Sequence, residues 1–310
     1  MTATRPEARL PSNDAPRAMP GGLRRRVLAA LYRRPRAQIL LLLTPPAGWF
    51  GVVYLGSLAL LLVTAFWTFD GVTGKVVQHW TLDNFGQLIS QPAFRTVALR
   101  TLVFATVVTA ADMLIAFPIA YYMAQVAGSR TRSILFMLCL LPLWASYLVR
   151  VYAWRVILSP GGPIDWTIGL FGLGPAGLYP SDLGVGIVFT YLWLPYMILP
   201  LYAGLERVPR SLLEASADLG ARGGTTFRRI VLPLVLPALA AGSIFTFSLT
   251  LGDYITPGLI SNNQFIGNVV FEQQGVSGNL PLAAAFALVP VGIMAVYLFV
   301  ARRLGAFEAL

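Results

Sequence analysis

Charge is what this chain has least of. Only 12% of its 310 residues are Asp, Glu, Lys or Arg, while 56% are hydrophobic. A soluble domain carries about 25% charged residues, so an ordinary water-soluble enzyme, a coiled coil and a disordered chain are all excluded. Cysteine occurs once, at Cys139, which leaves no intrachain disulfide. Histidine also occurs once, at His79. One His and one Cys, with no acidic cluster around them, make neither a metal site nor a nucleophile–base pair. No catalytic residue and no metal ligand is expected. The only lysine is Lys75, and no Gly-x-x-x-x-Gly-Lys-Ser/Thr loop is present, so the chain has no nucleotide cradle of its own.

What the chain has is length of apolar sequence, with a mean hydropathy of +0.69. Six stretches, at about 39–66, 96–123, 134–158, 183–205, 230–252 and 282–301, each reach the ~20 residues a helix needs to cross ~30 Å of hydrocarbon. Barrel strands would be ~10 residues long and alternate in polarity, so the expectation is an all-α integral membrane protein with six transmembrane helices. Pro45 and Pro46 interrupt the first stretch. No internal repeat is visible.

The net charge of +10 would suggest nucleic acid in a soluble protein, but its placement points to a bilayer. Nine arginines precede residue 39. Arg130 and Arg132 follow the second span; Arg207, Arg210, Arg222, Arg228 and Arg229 follow the fourth; Arg302 and Arg303 follow the sixth. The other side carries only Lys75 and Arg95. The positive-inside rule puts both termini in the cytoplasm and removes the support for a nucleic-acid partner. Residues 1–38 read as an Arg-rich cytoplasmic arm and not a cleavable signal, because the first apolar stretch is too long and begins too late. Residues 306–310 read as a cytoplasmic tail. The outer loops are 67–95, 159–182 and 253–281; the last two are Gly-rich and apolar enough to be re-entrant or interfacial.

Residues 206–229 are the most informative. Ser211-x-x-Glu214 has the form of a capping box, and Gly220 is placed to end a helix in the left-handed conformation. This predicts a two-turn helix over 212–219, with Leu212, Ala215, Ser216 and Leu219 forming an apolar stripe fit for a partner's groove. Glu214 and Asp218, four apart, repel on an isolated helix and favour a basic neighbour.

Taken as a set, Glu214-Ala215, Gly220, Ile230 and Leu232-Pro233 resemble the EAA loop of binding-protein-dependent ABC importer permeases. Ser216 stands where that family usually has a second alanine. Thr81 to Phe85, Ser146 to Trp154 and Leu251 to Pro257 look like the spermidine/putrescine-type branch, its first permease subunit in particular. The likeness spans roughly 40–305. It implies a type I ABC importer core of the molybdate/maltose-importer kind, over 39–305, in a bacterial inner membrane. It implies two ABC ATPase subunits that bind ATP and Mg, a second and different permease subunit, and an extracytoplasmic solute-binding protein. It implies no cofactor on this chain. ATPase coupling then falls to Ser211, Glu214, Ala215, Ser216, Leu219, Gly220, Ile230, Leu232 and Pro233, acting as a rigid lever. Sister branches carry opines, thiamine, sulfate or ferric iron. An ion-coupled secondary transporter or channel is the competing class; it predicts inverted repeats and several intramembrane ionisable groups.

Within the spans, Arg100 and Arg155 lie near the outer ends, where they can snorkel. Arg150 is deeper and Asp112 is near mid-span. Asp112 is either a pathway group or helix–helix glue, and Asp112–Arg150 is a candidate pair across helices. Further pathway candidates are Trp154, Tyr191, Trp193, Tyr196, Asp253 and Tyr254. In-span aromatics also serve packing and interfacial anchoring, so a polyamine substrate follows from the resemblance and not from charge.

Overall fold

The computed structural model describes residues 35–303. Most of the Arg-rich arm and the whole of the 306–310 tail lie outside the described residues. The chain divides into two units, Met1–Leu60 and Leu61–Leu310.

The first unit contains α1, Pro35–Trp49, followed by a π-helical stretch, Phe50–Leu55, and the start of α2, Gly56–Thr64. Pro45 and Pro46 do not break the helix, contrary to expectation; it widens to π geometry one turn later. The same device recurs in the second unit. π-Helical turns span Tyr122–Val126, four residues after Pro118, and Phe227–Val231, two residues before Pro233. Proline lacks an amide hydrogen and crowds the carbonyl four residues back. Before Pro233 a local i→i+5 turn accommodates that mismatch without ending the helix; the turns after Pro46 and Pro118 lie on the far side of the ring from that clash.

The second unit opens with a small antiparallel hairpin, β1 (Thr68–Asp70) and β2 (Lys75–Val77), in register Thr68↔Val77. It is the one departure from helix among the described elements. Then come α3 (Asp83–Ser90), α4 (Pro92–Tyr121), α5 (Ser129–Trp144), α6 (Tyr147–Leu158), α7 (Pro163–Gly169) and α8 (Asp182–Glu206). After these follow α9 (Arg210–Asp218), α10 (Gly223–Thr226), α11 (Leu232–Gly252), α12 (Ile255–Ile260), α13 (Ile266–Gly275) and α14 (Leu280–Arg303).

Among the described residues five helices are long and apolar enough to cross a membrane; the sixth candidate is a bent pair. That pair corrects the third expected span, which is not one helix over 134–158. α5 and the segment from Tyr147 meet at 96°. Pro142 weakens the last turn of α5, and Ala145 (ψ 143°) and Ser146 (ψ 138°) then run extended. At 1.5 Å per residue α5 is about 24 Å long, short of the hydrocarbon thickness by itself. The fifth span also begins earlier than expected, since Gly223–Gly252 runs as one apolar helical stretch through its π turn.

The core is a three-helix junction of α4, α8 and α11. α4 presents Thr101, Ala105, Val108, Asp112, Ala116 and Ala120 at helical spacing, all buried. Small residues let the backbones approach. A Cβ on Gly204 of α8 would collide with the Cβ of Ala238, and one on Gly242 of α11 would sit 2.7 Å from Met197 Sδ and 3.2 Å from its Cα. Toward the arginine-rich end the core is Met123, Met197, Leu201, Leu205, Val231 and Val235. Toward the other end it is Val108, Val151, Val185, Phe189, Leu192, Trp193, Ile260 and Phe265.

Candidate functional site: a fixed helix at one end and an aromatic layer at the other

α9 is held at both ends by backbone geometry. Pro209 occupies its N-cap position with φ −66° and ψ 131°, and Leu212 N donates to Pro209 O at 3.1 Å. No side chain caps the helix, so the expected Ser211/Glu214 capping box does not form. The proline ring sets the entry angle, and the helix begins one residue before Ser211. At the other end Gly220 has φ +74°. Gly220 N donates to Ala217 O (2.8 Å) and Ala221 N to Ser216 O (3.0 Å). This is the paired bonding of a Schellman turn, which a side chain at Gly220 would strain.

Ser216 is also misassigned by the expected stripe. It is buried and shares a 2.8 Å hydrogen bond with the Thr226 hydroxyl, which ties α9 to α10. Leu213 packs on the adjoining core. The outward face is therefore Leu212 and Leu219, 42% and 88% exposed, with exposed Ala215 between them and exposed Glu214 and Asp218 beside them. Ile230 lies in the π turn, and Leu232 and Pro233 open α11, so none of the three belongs to the loop.

A set of polar clasps around this loop was not anticipated. Arg132 donates to the carbonyls of Met123 and Ala124 (both 3.1 Å) and reaches Glu206 at 3.4 Å. Gln125 donates to Leu205 O (2.7 Å), and Arg210 to Gln125 O (3.3 Å). Each donor reaches carbonyls in the last turn of a helix, where backbone partners run out. The signal in the sequence was a polar residue within a turn of each apolar run's end.

At the opposite end, α6 and α8 build an aromatic layer. Trp154 meets Tyr191 with ring centroids 5.2 Å apart, and Trp193 meets Tyr196 at 5.9 Å. Tyr147, which sequence reasoning missed, stacks on Trp193 at 6.0 Å. It lies seven residues before Trp154, on the same face of α6. The Tyr147 hydroxyl donates to the Asp253 carboxylate and also contacts the Thr256 hydroxyl at 2.7 Å. Asp253 further accepts from Ile255 N (2.8 Å), Thr256 N (3.2 Å) and the Thr256 hydroxyl (3.0 Å). Its lone pairs are used in fixing the turn from α11 into α12. Tyr254 is not part of the layer; it stacks on Phe271 of α13 at 4.9 Å.

The acids at this end are mostly engaged. Asp182 binds Ser261 (2.7 Å), Asn263 (2.9 Å) and Arg100 (3.9 Å), and Asp165 accepts the amides of Gly161 (3.1 Å) and Ala176 (2.9 Å). Glu272 accepts from Gln264 at 2.7 Å. Arg100 and Arg155 do not simply snorkel. Arg100 also donates to Gln264 O (3.2 Å), and Arg155 donates to the Tyr179 hydroxyl (3.0 Å). The expected Asp112–Arg150 pair does not exist: among the described residues neither Asp112 oxygen, nor Arg150 Nε or Nη1, has a hydrogen-bond partner.

Comparison with known proteins fits this architecture. The pattern described as "Binding-protein-dependent transport system inner membrane component" matches residues 116–307. The chain is 48% identical over 299 residues to the inner membrane ABC transporter permease protein YdcU of Escherichia coli (strain K12), covering 92% of this chain and 95% of that protein. It is 31% identical over 263 residues to the spermidine/putrescine transport system permease protein PotB of the same organism, covering 83% and 94%. A solved bacterial ABC transporter involved in import of the acidic polysaccharide alginate superposes with a TM-score of 0.65 at 18% identity, covering 90% of this chain and 99% of that one. The alginate transporter bound to its pentasaccharide-loaded periplasmic protein gives 0.65 at 17%, covering 89% and 96%. At that identity the likeness establishes the type I importer-like fold. The chain belongs to the binding-protein-dependent transport system inner membrane components and is a permease subunit of an ABC importer.

Proposed function

We propose that this subunit forms half of the translocation pathway for a polyamine or a related amine or amino-acid derivative, delivered by an extracytoplasmic binding protein. Two ABC ATPase subunits and a second, different permease complete the assembly, and the chain itself performs no catalysis. Its arginine-rich end, with both termini, faces the cytoplasm, following the positive-inside rule. There the face of Leu212, Ala215 and Leu219 seats in the ATPase, and Glu214 and Asp218 meet basic groups of that partner. ATPase closure moves α9 as a lever, and its junction with α10 at Gly220 and Ser216 passes the movement into α11. The aromatic layer of Trp154, Tyr191, Trp193 and Tyr196 lines the pathway at the other end. An amine class is supported by the relatives' printed names, since the acids outside the spans are largely bonded within the chain.

The observation that carries the coupling role is an exposed apolar face on a helix whose two ends are fixed by Pro209 and Gly220. The test is cross-linking in the assembled complex. With Cys139→Ala as background, Leu219→Cys is expected to link to the ATPase and Ser216→Cys is not. Equal linking, or none, rejects this docking face. Uptake of labelled spermidine by cells with and without the chain, in competition with other solutes, tests the amine class.

A further inference from the structure

Three buried side chains in the described structure hold polar atoms without a hydrogen-bond partner: Asp112, Arg150 and Trp193. Asp112 is 0% exposed, Arg150 8% and Trp193 6%. One apolar cluster relates them through the helices that carry them. Trp193 belongs to it, Val151 beside Arg150 belongs to it, and so does Val108, one turn from Asp112 on α4. Tyr147, Trp154, Tyr191 and Tyr196 pack against that cluster.

Their chemistry is specific. Arginine does not give up its proton in a protein, and an indole N–H only donates. Arg150 Nε and Nη1 are buried without an acceptor, which costs several kcal/mol for a guanidinium, so Arg150 requires an anionic or carbonyl oxygen at some stage of the cycle. A further subunit is a poor source of that oxygen, because this chain already covers all but 8% of Arg150. A small solute admitted when the α6–α8 layer parts has no such restriction. A solute bearing only ammonium groups does not satisfy Arg150 and is repelled by it. Asp112 offers the opposite chemistry: ionised, it accepts only.

We propose that the pathway selects a straight-chain amine that also carries a carboxylate, its carboxylate held by Arg150 and Trp193 Nε1 and its ammonium by Asp112. The aromatic rings enclose the methylene chain between them. This rests on the amine-importer reading above and narrows it.

The test uses the complete importer in cells without other amine uptake, with labelled 5-aminopentanoate and labelled putrescine as probes. In the unaltered importer, 5-aminopentanoate is taken up and inhibits at least about tenfold better than its uncharged amide, 5-aminopentanamide; tenfold corresponds to about 1.4 kcal/mol. Arg150→Gln raises the KM for 5-aminopentanoate by at least about the same factor and leaves that for putrescine unchanged or lower. Arg150→Lys restores part of the loss, and Asp112→Asn weakens both probes. Uptake of putrescine without 5-aminopentanoate overturns the proposal and leaves the amine reading standing. So does an Arg150→Gln variant that shifts both probes equally, the mark of a structural ion pair. If Arg150→Gln fails to assemble, the carboxylate–amide comparison in the unaltered importer still decides, and equal inhibition rejects the idea. Uptake of neither probe above cells lacking the chain defeats the amine reading itself.

Discussion

Gly220 gives the sharpest perturbation of the coupling region, because its cost is separable from packing. Its φ is +74°, and a Cβ built there meets nothing within 4 Å. A side chain therefore acts on the backbone alone. For an ordinary L residue the left-handed conformation costs about 1–2 kcal/mol, a factor of about 5–30 in the population of the bent geometry. Asparagine tolerates this region better, and β-branched valine worse. The expected order of function is Gly, Asn, Ala, Val. The assay is solute imported per ATP hydrolysed by the reconstituted complex, with subunit stoichiometry checked by co-purification. Gly220→Val is expected to assemble and hydrolyse ATP while transport collapses. A valine variant with unchanged coupling would falsify the lever. An asparagine variant as damaged as valine would show that the loss comes from contact with the ATPase and not from φ.

Other expectations follow from single contacts. Gly204→Ala drives a methyl into Ala238 and should cost roughly 1–3 kcal/mol, read as a lowered melting temperature in detergent; Ala238→Gly should recover it, and failure to do so rejects the α8–α11 contact. Thr226→Val strands the buried Ser216 hydroxyl at a cost of about 1–3 kcal/mol, whereas Thr226→Val with Ser216→Ala should be close to neutral; additive losses would mean the two hydroxyls are not coupled. Asp70 is held below its ordinary 3.8 first by the Thr73 hydroxyl and then by the Val72 amide. Its contribution to the hairpin is present above that ordinary value and lost as pH falls through the lowered one. Exchange protection of the Val72 amide should follow that course and disappear in Asp70→Ala; a pH-independent profile rejects it.

The spans were legible because hydropathy over twenty residues depends on solvent and not on which neighbour a helix meets. Gly220 was legible for a related reason: the left-handed position is a local demand that glycine meets without strain. The capping box at Ser211 failed on equally local grounds. Pro209 fixes its own φ and takes the cap position, so the cap falls two residues before Ser211 and the four-residue pattern never closes. The break at Ala145–Ser146 left no trace in hydropathy, since neither residue is polar enough to interrupt an apolar run. Asp253 was misread because its partner, Tyr147, is 106 residues away. Sequence distance hides such a bond, yet it decides the chemistry, since an acid that already accepts from two hydroxyls and two amides has little left for a solute. Once Asp253 is committed to the turn, the buried side chains left with unpartnered polar atoms among the described residues are Asp112, Arg150 and Trp193, one acceptor and two donors. A pathway built for amines alone has no use for the two donors.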